Sequence, residues 1–232
     1  MLASPLSEKQ ILLVSSFQSL VTIPFKGAMN AVCWERKLEG DFEEIVDKVT
    51  LNGNMASLEE ADLLSLELSE AGNVAREILL KDLKLLKTHG AQPVLNVIEY
   101  YDRDDSLPFF STDVYSFHVD RSPIPSETFL CTYYGEASEI LPNSQATQKI
   151  LIPEIRAQLI KLYDGPEGGF EDFLSEYFFD LHYQAKPNAS PIKLGLGQLW
   201  KLAIDHPGQQ SLPCVHRAPV EKQGQKRLMI IC

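Results

Sequence analysis

Hydrophobic and polar positions change their rhythm twice along this chain. Residues 10–25 are apolar and β-branched enough (Ile11, Leu12, Leu13, Val14) to predict an extended start. Residues 41–49 predict a short helix. Ser57-Leu58-Glu59-Glu60 then carries a capping-box pattern, and from there to His89 the residues Leu63, Leu64, Leu66, Leu68, Ile78, Leu79, Leu83 and Leu86 supply apolar helix faces. Ala71-Gly72-Asn73 predicts a break into two helices, and Gly90 a stop. Past Gly90 the period falls to 2. Strands are predicted at 93–101, 113–120 and 128–134, the last ended by Gly135, and again at 197–204, 214–218 and 227–231. Two helices, 153–163 and 170–183, are predicted between these groups, with Gly165-Pro166-Glu167-Gly168-Gly169 as the breaker. Helices first, then strands with a helical interruption, predict an α+β fold with a mainly antiparallel core.

Length and charge narrow the field. The 232 residues, 44% of them hydrophobic, fit a single domain: a helical part at about 41–90 and a β core at about 93–231, interrupted by an insertion at about 153–183. No run of 18 apolar residues predicts a membrane span, and residues 1–10 carry no charged-then-apolar signal pattern, so a cytoplasmic protein is expected. A net charge of −11 argues against a nucleic acid partner, which needs a basic surface. Cys33, Cys131, Cys214 and Cys232 are scattered without a CxxC pair, so reduced, mostly buried thiols are expected. The breaker at 165–169 lacks a phosphate-loop pattern, and the acidic loop at Asp102-Arg103-Asp104-Asp105 lacks the glycine and terminal Glu of an EF-hand.

Chemistry concentrates in Phe117-His118-Val119-Asp120. A His and an Asp two residues apart on a strand share a face, with Cβ atoms roughly 6–7 Å apart, so both can reach one metal ion. His216, on a later short strand, would complete the two-His, one-carboxylate set of non-haem Fe(II) oxygenases. His206 is the competing histidine, but Pro207 and Gly208 place it in a turn. Arg227 follows His216 by 11 positions across a hairpin-like loop. A dicarboxylate that chelates iron at one end needs a cation at the other, and arginine grips a carboxylate bidentately. Arg217 alternates to the opposite side from His216 and is expected in a structural ion pair. A Cys214–His216 thiol pair is a minor alternative.

An HxD, a distal His and an Arg about ten residues later, here His118, Asp120, His216 and Arg227, resemble the 2-oxoglutarate/Fe(II)-dependent dioxygenase superfamily. Gly197-Gln198-Leu199-Trp200 resembles the Gly-led strand before its distal His. The stretches Cys131-Thr132-Tyr133-Tyr134-Gly135 and Val215-His216-Arg217-Ala218-Pro219 also resemble a bacterial family of uncharacterised function. The resemblance covers roughly residues 94–231 and implies a cupin-like double-stranded β-helix, a variety of jelly roll, with N-terminal helices and a helical insertion. It implies His118, Asp120 and His216 as iron ligands and Arg227 as the clamp on 2-oxoglutarate. It further implies a hydroxyl beside Arg227 from the strand after HxD, for which Tyr133 is expected, with Thr132 and Tyr134 as the alternate face. The strand before HxD offers Asn96 and Tyr100 on one face for the same cosubstrate.

The expected activity is therefore an Fe(II)- and 2-oxoglutarate-dependent dioxygenase using O₂ on a small molecule, amino acid or peptide. The rival readings are a non-catalytic cupin-like binding module, and a hydrolase or isomerase using Zn or Mn at the same triad. The sequence leaves the substrate and the oligomeric state open. The 96 positions from Asp120 to His216 require residues 153–183 to be an insertion, which is expected to cover the barrel mouth.

Overall fold

Two β-sheets and several helices make up this α+β protein, whose computed structural model describes residues 10–220, 222 and 224–232. Residues 1–9, and Glu221 and Gln223 of the expected hairpin loop, lie outside the described residues, and with them most of the N-terminal stretch read for a targeting signal. The extended start is β1 (Ile11–Val14), which turns at once into α1 (Phe17–Thr22), capped by the Ser16 hydroxyl. There follow β2 (Ala31–Trp34), α2 (Phe42–Lys48, capped by Asp41), β3 (Met55–Leu58), α3 (Glu60–Ser65) and α4 (Glu70–His89).

The helical break falls earlier than the pattern predicts. Glu59 and Asp62 form the capping box of α3, so Ser57 and Leu58 belong to β3. The chain then restarts at Ser69, whose amide and hydroxyl both donate to Glu44 of α2 at 2.8 and 2.6 Å. Gly72 therefore lies inside α4. A Cβ there would meet the Glu44 carboxylate at 2.1 Å, so the glycine serves close helix approach and does not break the helix. Gly90, at φ 99°, ends α4 as expected.

The β part continues with β4 (Val94–Ile98), β5 (Phe117–His118), β6 (Glu127–Tyr134), β7 (Glu139–Ile140), β8 (Ala146–Gln148), α5 (Pro153–Leu162), α6 (Phe170–Glu176), β9 (His182–Ala185), β10 (Ile192–Lys193), β11 (Leu199–Ala203), β12 (His216–Arg217) and β13 (Arg227–Ile231). The large sheet runs β1-β2-β11-β6-β13-β4-β3 and the small one β10-β7-β12-β5-β9-β8. Leaving aside the antiparallel β8–β9 pair, the strands from β4 to β13 fall to the large and small sheets in the order large, small, large, small, small, large, small, large.

Side-chain parity assigns two cores. On one face of the large sheet Leu95, Val97, Cys131, Tyr133, Leu228 and Ile230 pack on the helices through Phe42, Ile45, Leu79, Leu83 and Leu86. On the other, Ile98, Leu130, Trp200, Leu202 and Met229 meet Ile140 and Cys214 of the small-sheet side. A third cluster, Phe110, Ile150, Leu159, Leu174 and Phe179, holds the helical insertion together.

Two expectations are corrected. The strand expected at 113–120 begins only at Phe117, because the Asp113 carboxylate accepts from the Tyr115 and Ser116 amides at 3.0 and 3.2 Å and turns the chain. The helix expected at 170–183 stops at Glu176. Phe178 adopts φ 60°, a 3₁₀ turn follows, and His182–Ala185 pairs as a strand with β5 and β8, so sheet pairing overrides the local helical pattern.

Candidate metal centre

Register brings the first two ligands together. His216 of β12 is the direct antiparallel partner of His118 of β5, so both side chains leave the same face and their ring centres stand 4.6 Å apart. Asp120 follows two residues after His118. Its carbonyl accepts from the Asp205 amide at 2.8 Å, and the Val119 amide donates to Leu181, so the segment stays extended beyond the strand proper. One ligand atom from each of His118, Asp120 and His216 lies within 4.8 Å of the others. The His118 Nε2 and His216 Nε2 atoms are 3.9 and 3.6 Å from the Asp120 oxygens. A separation of up to 4.8 Å would have to shorten for all three atoms to reach one ion at bonds of about 2.0–2.2 Å.

The hydrogen bonds around the triad fix its chemistry. His118 Nδ1 donates to the Ser116 carbonyl at 2.8 Å, and His216 Nδ1 to the Cys214 carbonyl at 3.2 Å. A carbonyl can only accept, so each ring has a proton on Nδ1, which leaves Nε2 as the atom a metal would take. Asp120 accepts from the Thr128 hydroxyl. Burial, then the neighbouring His216, pushes His118 down to about 4, which keeps it neutral. Burial acts to raise the Asp120 carboxyl, but His216, the Thr128 bond and His118 outweigh it and hold it below its usual value.

Arg227, the first residue of β13, shares the inter-sheet face with Met229 and is 8% exposed. Its Nη2 donates to Ser138 Oγ at 3.1 Å and more weakly to Thr132 Oγ1 at 3.4 Å, while Nε is buried without a partner. Tyr101, whose hydroxyl donates to Met229 Sδ at 3.4 Å, lies beside the guanidinium, and burial draws Arg227 below its ordinary value against the pull of Tyr101 and Tyr115. Among the described residues no carboxylate forms an ion pair with it. A buried cation in that state is costly, and an anion beside it would relieve the cost.

The expected helpers of Arg227 are rearranged. Tyr133 faces the helices, where its hydroxyl donates to Asp82 at 2.7 Å and its ring stacks on Phe42, so Thr132 takes the place beside Arg227. Tyr134 turns to Glu43. Tyr100 lies past the end of β4 and is 46% exposed, and Tyr101 reaches Arg227 instead. Asn96 does lie on the inter-sheet face, opposite Met229, where it accepts from Ser57 at 2.7 Å. His206 sits in the turn, its Nδ1 against the Pro207 carbonyl, outside the cluster. Arg217 pairs with Glu139 at 2.8 Å. Cys214 is fully buried and its thiol is pushed up by burial, which removes it as a nucleophile.

One residue near the site escaped the sequence pattern. His182 of β9 is the direct cross-strand partner of His118 on the side away from His216, with ring centres 5.8 Å apart. Only recognition that residues 182–185 pair as a strand would have found it.

A two-sheet α+β protein with a part-buried His–Asp–His cluster, and with a buried arginine that has no carboxylate partner among the described residues, is the class that fold and site define. The chain belongs to the DUF1826 family, described as a protein of unknown function, whose profile matches residues 16–232 and so spans every residue of the site. No curated protein and no solved structure matches it.

Proposed function

We propose that this chain is an Fe(II)- and 2-oxoglutarate-dependent dioxygenase built on a double-stranded β-helix. The single observation that carries the reading is Arg227: a buried guanidinium with no carboxylate partner among the described residues, in a protein that also holds a His–Asp–His set able to take a metal. The strand order supports the fold, because large, small, large, small, small, large, small, large is how a double-stranded β-helix deals its eight strands between two sheets. The triad lies on and next to the second and seventh of those strands, and Arg227 opens the eighth.

His118, Asp120 and His216 would hold the iron and Arg227 the far carboxylate of 2-oxoglutarate. When bound, iron and cosubstrate supply the activation of O₂ that oxidises a substrate C–H bond. The chain's own part is to present the Nε2 atoms of two imidazoles and one carboxylate. Asp120 offsets one of the two metal charges, and the Ser116 and Cys214 carbonyls keep the rings aimed. Arg227, with Thr132 and Ser138 beside it, would orient the acidic cosubstrate. The acidic balance of the chain favours a small molecule, amino acid or peptide as substrate. A module without turnover, or a Zn or Mn hydrolase, leaves Arg227 without a use.

Recombinant protein given Fe(II), 2-oxoglutarate and O₂ is expected to form succinate. His216→Ala should abolish succinate and tight Fe(II) uptake, whereas His206→Ala should keep both. Succinate formed equally by the His216→Ala protein, or activity needing neither O₂ nor 2-oxoglutarate, contradicts the reading.

A further inference from the structure

His182 is 4% exposed, and its Nδ1 is buried with no hydrogen-bond partner. The other two imidazoles of the row differ. His118 and His216 each spend Nδ1 on the carbonyl two residues earlier. For His182 that carbonyl belongs to Asp180, and it is already taken by the Gln148 side chain. Of its other polar neighbours, Lys149 directs its ammonium to Ser111 O at 3.2 Å and Ser116 Oγ at 2.8 Å, while the Asp113 carboxylate accepts from the Tyr115 and Ser116 amides and Asp104 from the Ser106 and Thr112 hydroxyls. Phe110 closes another side, its ring centre 6.0 Å from that of His182. A buried ring nitrogen left unpaired opposes folding, so its retention points to a partner that the polypeptide itself does not provide.

Position says where that partner sits. His182 and His118 are direct antiparallel partners, so both imidazoles project from one face, with His118 between His182 and His216. A metal on His118 Nε2 would stand about 3 Å from the His118 ring centre, and a ligand on that metal about 2 Å further. His182, 5.8 Å from His118 between ring centres and outside the 4.8 Å triad, is placed too far for coordination and suitably for a hydrogen bond to such a ligand. A metal ligand that keeps a free lone pair, such as azide, would accept a hydrogen bond from His182.

We propose that His182 is a positioning residue whose ring N–H donates to the non-protein ligand bound beside His118, selecting substrates or exogenous ligands that present an oxygen or nitrogen lone pair there. The assignment rests on the metal reading of His118, Asp120 and His216, and is independent of Arg227 and 2-oxoglutarate.

Azide binding to the Co(II)-loaded full chain, followed by the visible cobalt absorbance, tests it. Wild type, His182→Phe and His182→Gln are expected to bind Co(II) within about 2-fold of one another. Azide affinity should fall about 3- to 10-fold in His182→Phe and recover in His182→Gln, whose amide restores a donor; this is the range of one net hydrogen bond. Should His182→Phe fail to fold, the Zn(II)-loaded wild type labelled with ¹⁵N-histidine decides. The His182 ring resonance, assigned by its loss in His182→Gln, should shift on adding azide. Equal azide affinity in wild type and His182→Phe, equal weakening in both variants, or an unmoved ring resonance overturns the proposal. Loss of Co(II) itself in the variants also overturns it, because His182 would then act on the metal. Failure of wild type to take up Co(II) removes the metal reading, and this proposal with it.

Discussion

At the scale of single residues, Arg227 sets two demands against each other. An 8%-exposed guanidinium with an unpaired Nε lowers the stability of the free protein, and the same group gives an acidic ligand its strongest anchor. Arg227→Met is therefore expected to melt at the same temperature as the parent or higher, by up to about 1–3 kcal/mol, while losing the stabilisation that Fe(II) and 2-oxoglutarate confer on the parent. That stabilisation should reach roughly 2.7 kcal/mol at a hundredfold excess over Kd. Thermal melts with and without ligands check this, and a variant that is less stable yet still gains from 2-oxoglutarate would contradict it. His118 and Asp120 were legible from the period-2 rule, and His216, 96 positions beyond Asp120, and Arg227, 11 further on, through the resemblance that their order carries. Tyr133 was misassigned because its true partner, Asp82, is 51 positions away and parity within β6 alone cannot say which face meets the helices. Tyr100 was misassigned because the strand was carried three residues too far, to 101, where β4 ends at Ile98.

At the scale of elements, the strands β5 and β12 that carry the histidines are among the shortest in the fold, two residues each, and the residues around them and around Arg227 aim the site. Gly135 is one such bracket. It sits at φ 84° after β6, and a Cβ there would meet the Lys226 carbonyl at 2.5 Å and the Arg227 Cγ at 3.0 Å. Gly135→Ala should therefore displace the start of β13 and weaken 2-oxoglutarate binding by at least about 10-fold, although Gly135 touches no ligand, and lower stability by about 1–3 kcal/mol. Fe(II) affinity should stay within about 3-fold. Paired calorimetric titrations decide, and an unchanged 2-oxoglutarate affinity would show that Arg227 is not held from that side. The long elements α2, α4, β6, β11 and β13 were legible because amphipathic periodicity marks them. The short strands β7, β8, β9 and β10 were not, because two to four residues carry no period and are fixed only by their neighbours. The shift of the helical break to 66–69 has the same origin, since Glu44 of a separate helix secures the Ser69 cap.

At the scale of the molecule, the buried imidazole row links stability to pH. His118 lies at about 4 and His182 at about 3, against 6.5 for a free side chain, both chiefly through burial. As pH falls below 6.5 the unfolded chain takes up protons that the folded one refuses, so the metal-free protein should lose stability from about pH 6.5 down to about 4. The His118 share is roughly 3 kcal/mol. His182→Phe should flatten this slope, and an identical pH dependence in variant and parent would contradict the placement of His182. No helix among the described residues is long and apolar enough to cross a membrane. The claim that two sheets bring a metal triad and a carboxylate clamp into one site is tested most directly by anaerobic calorimetric titration of 2-oxoglutarate into the metal-free and the Fe(II)-loaded protein. The account predicts one Fe(II) per chain, then one 2-oxoglutarate per chain, bound at least about 10-fold more tightly with iron present and lost in Arg227→Ala. A protein that takes up no Fe(II), or that binds 2-oxoglutarate alike with and without iron or with and without Arg227, would contradict it.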